Sequence, residues 1–147
     1  ILDLDNGIRS PYGHALELSR ILADRKKRVS AVSKSIDAVG LGLHAVAAEG
    51  NNKGVAVLLW NYNWRNAVAD RDIEVLIKNI PGQHFARGKI HASIYVIDSN
   101  NNNYFINPAQ NSLQVTSEQL FDYQSYLKIP LRLERSSVIM ILLTPQK

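Results

Sequence analysis

An antiparallel β-sandwich of about seven or eight strands behind a single N-terminal α-helix is the fold class this sequence predicts. Three features predict it. From Val29 onward, apolar residues alternate or run in short unbroken stretches; Gly, Pro and Asn clusters separate these stretches; and only the front of the chain carries a helical period. Strand and helix signals do not alternate, so an α/β architecture is disfavoured.

Each element follows in order. Ser10-Pro11 reads as a helix opening, because the hydroxyl can accept from a free backbone N–H and proline's missing donor costs nothing at the first helical position. Tyr12, Ala15, Leu16, Ser19 and Leu22 then recur at helical spacing, giving a stripe that needs a partner surface, and Asp24 to Arg28 ends the helix. Leu41, Leu43, Ala45 and Ala47 occupy one strand face, and Gly40, Gly42, His44 and Val46 the other. The Asn- and Gly-rich segment Glu49 to Gly54 turns the chain into a return strand, Val55 to Tyr62, apolar on both faces as a strand covered on each side should be. Ile73, Val75 and Ile77 alternate with Glu74, Leu76 and Lys78, and Pro81-Gly82 ends that strand. A long strand is expected from about Phe85 to Ile97, followed by a loop from Asp98 to Asn103 rich in asparagine. Thr116-Ser117-Glu118-Gln119 has the capping-box pattern, which predicts a short helical turn. Ile129 to Leu133 and Val138 to Leu143 are the last strands, with a polar turn at Glu134 to Ser137.

Composition narrows the function classes. With 147 residues, 46% hydrophobic and 20% charged, the chain has the makeup of one globular core. Its lack of cysteine removes thiolate nucleophiles, thiolate zinc sites and disulfides. No apolar run approaches the roughly 20 residues that cross a bilayer, so no membrane span is expected. The net charge of +4 resides in one run, Arg25-Lys26-Lys27-Arg28, since the other basic residues balance the acidic ones. Nucleic-acid surfaces spread cations along a face with aromatics between them; here a solvated turn is the reading, and no nucleic-acid partner is expected. Met140 is the only methionine, and the chain is read as a piece of something longer.

Catalytic signals are weak. Glycosidic hydrolysis needs two facing carboxylates, roughly 5–9.5 Å apart, whereas Glu17, Glu49, Asp70, Asp72, Glu74 and Glu118 each have a local structural reading. His14, His44, His84 and His91 lack metal-ligand spacing, no elbow motif surrounds a serine, and Gly40-Leu41-Gly42 lacks the third glycine of a dinucleotide loop. Neither cofactor nor metal is expected, and no catalytic residue is assigned. The distinctive segment is Trp60-Asn61-Tyr62-Asn63-Trp64-Arg65. Aromatic faces stack on sugars while amides bond hydroxyls, so Tyr62, Trp64 and Asn63 are candidate carbohydrate contacts. Trp60 continues the face of Ala56 and Leu58 and reads as a core or interdomain residue.

The order of these motifs resembles the C-terminal part of glycoside hydrolase family 39, the group of β-xylosidases and α-L-iduronidases. Gly7-Ile8-Arg9-Ser10-Pro11-Tyr12 with Ala15, Leu16 and Leu18 resembles the opening of the last helix of the family's catalytic barrel. Val55 to Tyr62 resembles a core strand of the sandwich that follows the barrel; Ile97-Asp98 with Asn103-Tyr104 and Pro108 resembles its loop; Thr116 to Leu120 resembles the turn after it; and Ser137 to Leu143 resembles the closing strand. The run Asn100 to Asn103 departs from the family's less repetitive loop. The resemblance implies a retaining glycosidase whose acid/base and nucleophile glutamates lie on a barrel outside this chain.

On this reading residues 1–28 are the last barrel helix with its connection, and residues 29–147 are an accessory, non-catalytic domain packed on a (β/α)8 catalytic partner. Tyr12, Leu16, Trp60 and Asp98 would form the interdomain surface, with Tyr104 beside a substrate. The isolated chain is expected to self-associate through that surface. The alternative is an autonomous carbohydrate-binding module for oligo- or polysaccharide. A parent acting on polysaccharide would work in the periplasm or outside the cell.

Overall fold

Strands that are apolar on both faces must be covered on both faces. In the computed structural model, which describes residues 2–3, 8–32, 43–62, 69–82, 85 and 88–145, the two such strands lie side by side. They are β5 (Gly54–Asn61) and β10 (Ser137–Pro145), paired antiparallel from Val55↔Leu143 to Asn61↔Ser137. Around them a six-stranded antiparallel sheet runs β3-β4-β5-β10-β7-β8, adding β3 (Lys27–Val29), β4 (Leu43–Gly50), β7 (Lys89–Ile97) and β8 (Ser117–Asp122). A separate two-stranded sheet pairs β6 (Arg71–Lys78) with β9 (Tyr126–Leu133). A short ribbon of β1 (Leu2–Asp3) and β2 (Ile8–Arg9) precedes helix α1 (Pro11–Ala23). The described residues are mostly antiparallel β with one helix.

Strand parity sorts the side chains into two cores. On one face Val55, Val57, Leu59, Ile139, Ile141 and Leu143 meet Leu127, Ile129 and Leu133 of β9, with Ile73, Val75 and Ile77 of β6 packed against them. On the other face Ala56, Leu58 and Met140 meet Leu18 of α1, with Trp60, Ile21, Leu22 and Leu113 around them. The expected alternation of β6 is observed from Ile73 to Lys78, with Ile73, Val75 and Ile77 inward and Glu74, Leu76 and Lys78 outward.

Local chemistry sets the connections. Ser10 caps α1 by accepting from the Gly13 N–H, and Pro11 occupies the first turn, as the sequence predicts. The β4–β5 hairpin turns through Asn51, Asn52 and Lys53, with Asn52 at φ 58°. Gly54 follows at φ 69°, where a Cβ would lie 1.9 Å from the Leu143 carbonyl oxygen, so only glycine fits.

Four expectations are corrected. The capping-box segment is not helical: Ser117–Asp122 is strand β8, and the Thr116 hydroxyl accepts from the Val96 N–H of the neighbouring strand instead of capping its own segment. The free edge of β7 outcompetes one helical turn. The long strand begins at Lys89, not Phe85, because the Phe85 and Gly88 N–H groups are spent on turn carbonyls. The basic run is not simply solvated: Arg25 is buried, its guanidinium donating to the Ile21 and Lys53 carbonyls, and Lys27 and Arg28 lie in β3. The helix anchors through His14 and Leu18, whereas Tyr12, Leu16 and Ser19 of the expected stripe face outward. The segments at residues 33–42 and 63–68, with Leu41, Gly40, Gly42, Asn63 and Trp64, lie outside the described residues.

The two helix faces give opposite outcomes on truncation. Leu18→Ala should cost about 2–5 kcal/mol in urea unfolding, the range for a large-to-small change in a packed core, while Leu16→Ala should change stability by less than about 0.5 kcal/mol.

Candidate functional site

The helix side of the sheet carries most of the residues singled out from sequence. Tyr12 and Leu16, one turn apart on α1, are 68% and 50% exposed. Trp60 is half-buried in the second core and stacks on His44 across the β4–β5 pair, ring centroids 5.3 Å apart and 23° from parallel. Just past the end of β5, Tyr62 is 54% exposed. Its proposed companions Asn63 and Trp64 lie outside the described residues. Tyr104 is half-buried against Phe105 in an edge-on arrangement at 6.3 Å.

The loop from Asp98 to Thr116 is held by its own amides. One Asp98 oxygen accepts from the Asn100 and Asn101 N–H groups at 2.8 Å each, and both oxygens receive the Asn101 amide. This is an Asx turn that fixes the loop's entry. Asn102 is buried at φ 50°, a left-handed conformation that asparagine tolerates better than most residues. Its amide donates to the Val96 and Gln114 carbonyls at 2.8 and 2.9 Å, and its carbonyl accepts from the Gln114 N–H at 2.7 Å. Gln110 closes the ring by accepting from the Asn103 N–H and donating to the Asn100 carbonyl. The asparagine run that reads as a plain polar loop is thus an internal clamp, with Asp98 turned onto its own loop.

The clamp is tied to the helix. His14, fully buried, has Nε2 3.4 Å from the Gln110 carbonyl oxygen, and Leu113 packs against the core cluster that includes Leu18. Helix and loop therefore form one cover over the sheet, presenting Tyr12, Leu16, Phe105 and Ile106 to solvent. Sequence reading missed Asn102, Gln110 and His14; a lone histidine between Gly13 and Ala15 on a buried helix face was the available signal.

Several of the described acidic groups have cation, amide or hydroxyl partners. Asp70 and Asp72 converge on Arg132, whose guanidinium is held even more firmly charged by its hydrogen bond to Asp72. Glu74 pairs with Lys128 at 3.3 Å, Glu118 lies 3.5 Å from His91, and Glu134 accepts from the Ser99 hydroxyl. Tyr95, between the helix and β8, has its phenol pushed up by burial and then by Glu118 and Glu17. Among the described residues no group of three or more His, Asp or Glu is placed to hold a metal ion.

A mostly antiparallel β fold with this single covering helix recurs in solved glycosidase structures. A glucosidase from Croceicoccus marinus matches 97% of this chain at a TM-score of 0.70 and 14% identity. The GH39 enzyme from Xanthomonas axonopodis pv. citri matches 96% at 0.66 and 15%, and a monomeric β-xylosidase from Caulobacter crescentus matches 97% at 0.64 and 14%. The chain spans only 33%, 31% and 32% of those three chains, about a third of each. No family profile matches the sequence, and no curated protein matches it.

The clamp predicts a graded series. Asn102→Ala should cost about 2–4 kcal/mol, from lost hydrogen bonds plus a left-handed backbone; Asn102→Gly, free of the backbone penalty, should cost about 1 kcal/mol less. Urea midpoints of the two variants measure the difference, and an Ala variant as stable as wild type would remove the clamp.

Proposed function

We propose that this chain is the non-catalytic β-sandwich body of a glycoside hydrolase, packing on a (β/α)8 catalytic domain and stabilising it. The observation that carries the reading is the asymmetry of coverage: nearly all of this chain matches about a third of each of several glycosidase chains. The sandwich consists of the six-stranded sheet and the β6–β9 sheet, which share one apolar core. The motif order resembling the C-terminal part of glycoside hydrolase family 39 agrees with it.

The surface that would meet the barrel is the helix-loop cover. Tyr12 and Leu16 sit on the side of α1 away from its own sheet, and Phe105 and Ile106 are 66% and 69% exposed on a loop already stiffened by the Asn102 clamp. A stiffened loop loses little entropy on docking, and large exposed apolar side chains gain from it. The acid/base and nucleophile carboxylates belong to the barrel in this account, while among the described residues Asp70, Asp72 and Glu74 serve ion pairs and Asp98 a turn.

An autonomous carbohydrate-binding module is the second reading, favoured by the exposure of Tyr62 at the end of β5. Polysaccharide titration distinguishes the two, since a binding module must respond in tyrosine or tryptophan fluorescence and lose that response in Tyr62→Ala.

Assay with aryl β-xylosides and β-glucosides tests the preferred reading. The chain alone should give no turnover, and added to the catalytic domain from the same reading frame it should form a complex that Leu16→Glu weakens. Turnover by the chain alone, or a complex indifferent to Leu16→Glu, contradicts it.

A further inference from the structure

The outer face of the β6–β9 ribbon departs from its polar pattern at one end. Inward positions are apolar except Arg71 at the start of β6, and most outward positions are charged: Asp72, Glu74 and Lys78 on β6, Lys128 and Arg132 on β9. The uncharged outward positions are Pro130, opposite Glu74, and the pair at the far end, Leu76 and Tyr126, 42% and 51% exposed. Leu76 and Tyr126 are diagonal neighbours, because Lys78 faces Tyr126 across the ladder and Leu76 faces Lys128. Residues two apart on a strand are separated by roughly 7 Å and cross-strand partners by about 5 Å. The four side chains therefore form a patch the size of one sugar ring.

This patch lies in a shallow, open surface depression of about 450 Å³ that Asn79 and Ser125 also line. Asn79 stands at φ 56° immediately after β6, and the Ser125 carbonyl just before β9 accepts from the Ile80 N–H, which ties the two flanking segments together. Lys128 is shared with Glu74 at 3.3 Å, whereas Lys78 has no carboxylate partner among the described residues. The depression thus combines a tyrosine ring, an apolar side chain, an amide, a hydroxyl and an uncompensated ammonium.

We propose that this depression binds a carboxylate-bearing sugar unit of an acidic oligosaccharide, with Tyr126 stacked on the ring face and Lys78 paired with the carboxylate. Leu76 extends the apolar floor, while Asn79 and Ser125 bond the ring hydroxyls. Aromatic rings supply a sequence-tolerant platform for a sugar's C–H face, and a charge-assisted hydrogen bond selects the acidic unit over a neutral one. The site is on the opposite side of the sheet from the helix-loop cover, so it remains available when that cover is docked, and it stands whether or not the accessory role is correct.

Calorimetric titration of the 147-residue chain with tetragalacturonate and with xylotetraose tests the site. Tetragalacturonate should bind, and xylotetraose should bind at least about tenfold more weakly, the worth of one charge-assisted hydrogen bond. Tyr126→Ala and Lys78→Gln should each weaken tetragalacturonate about tenfold with unchanged circular dichroism, since both side chains are exposed. Tyr62→Ala should leave it unaffected, and amide shifts should concentrate at residues 76–79 and 125–128. Absence of tetragalacturonate binding, equal affinity for the neutral oligomer, loss through Tyr62→Ala but not Tyr126→Ala, or self-association through Tyr126 without sugar binding would each overturn the proposal.

Discussion

Everything in this molecule depends on a sheet whose middle cannot tolerate water on either side. Ala56, Leu58 and Met140 point one way from β5 and β10, and Val57, Leu59, Ile139 and Ile141 point the other. Burying a large aliphatic side chain contributes roughly 1.5–3 kcal/mol, so exposing either face would remove a large part of the driving force for folding. Two covers follow from that constraint. The β6–β9 ribbon meets one face with an apolar inner row, and α1 with the Asp98 to Thr116 loop meets the other.

The two covers solve the problem differently, and this gives the molecule its two outer surfaces. The ribbon covers with strand alternation, so its outer face is charged and cross-linked by Arg132 to Asp70 and Asp72 and by Lys128 to Glu74. The other cover gets much of its rigidity from polar groups: buried Asn102 and His14 and half-buried Gln110 hold loop to strand and loop to helix. Internal amides then fix the shape, leaving Tyr12, Leu16, Phe105 and Ile106 free to face outward. An apolar outer surface on a preorganised layer suits a docking role, whereas a charged ribbon suits solvent and polar ligands.

Elements with strict patterns were legible in the sequence. The β4–β5 hairpin, the alternating strand β6, the Ser10-Pro11 helix start and the closing strand β10 all follow from parity and turn chemistry. What was not legible depends on tertiary competition. Thr116 to Gln119 satisfies a local helix rule, yet the open edge of β7 offers a ladder of partners that a single turn cannot match. Arg25 belongs to a charge run in sequence and is buried in space because the helix end and Lys53 offer it carbonyls. Asn102 resembles its neighbours in composition and differs only in where Val96 and Gln114 happen to lie. The outward position of Tyr12 and Leu16 escaped the helical period because the buried face of the helix is centred on His14 and Leu18, and of the stripe only Ala15 and Leu22 reach the second core.

The absence of cysteine gives direct access to the central claim, that the helix-loop cover is a buried seam in the working protein. A cysteine introduced as Tyr12→Cys becomes the sole thiol, with Asp72→Cys on the exposed ribbon as the control. Labelling with a maleimide should be fast for both in the isolated chain. Joined to the catalytic domain, Tyr12→Cys should be strongly protected while Asp72→Cys stays fast; equal labelling of Tyr12→Cys in the two contexts would contradict the account.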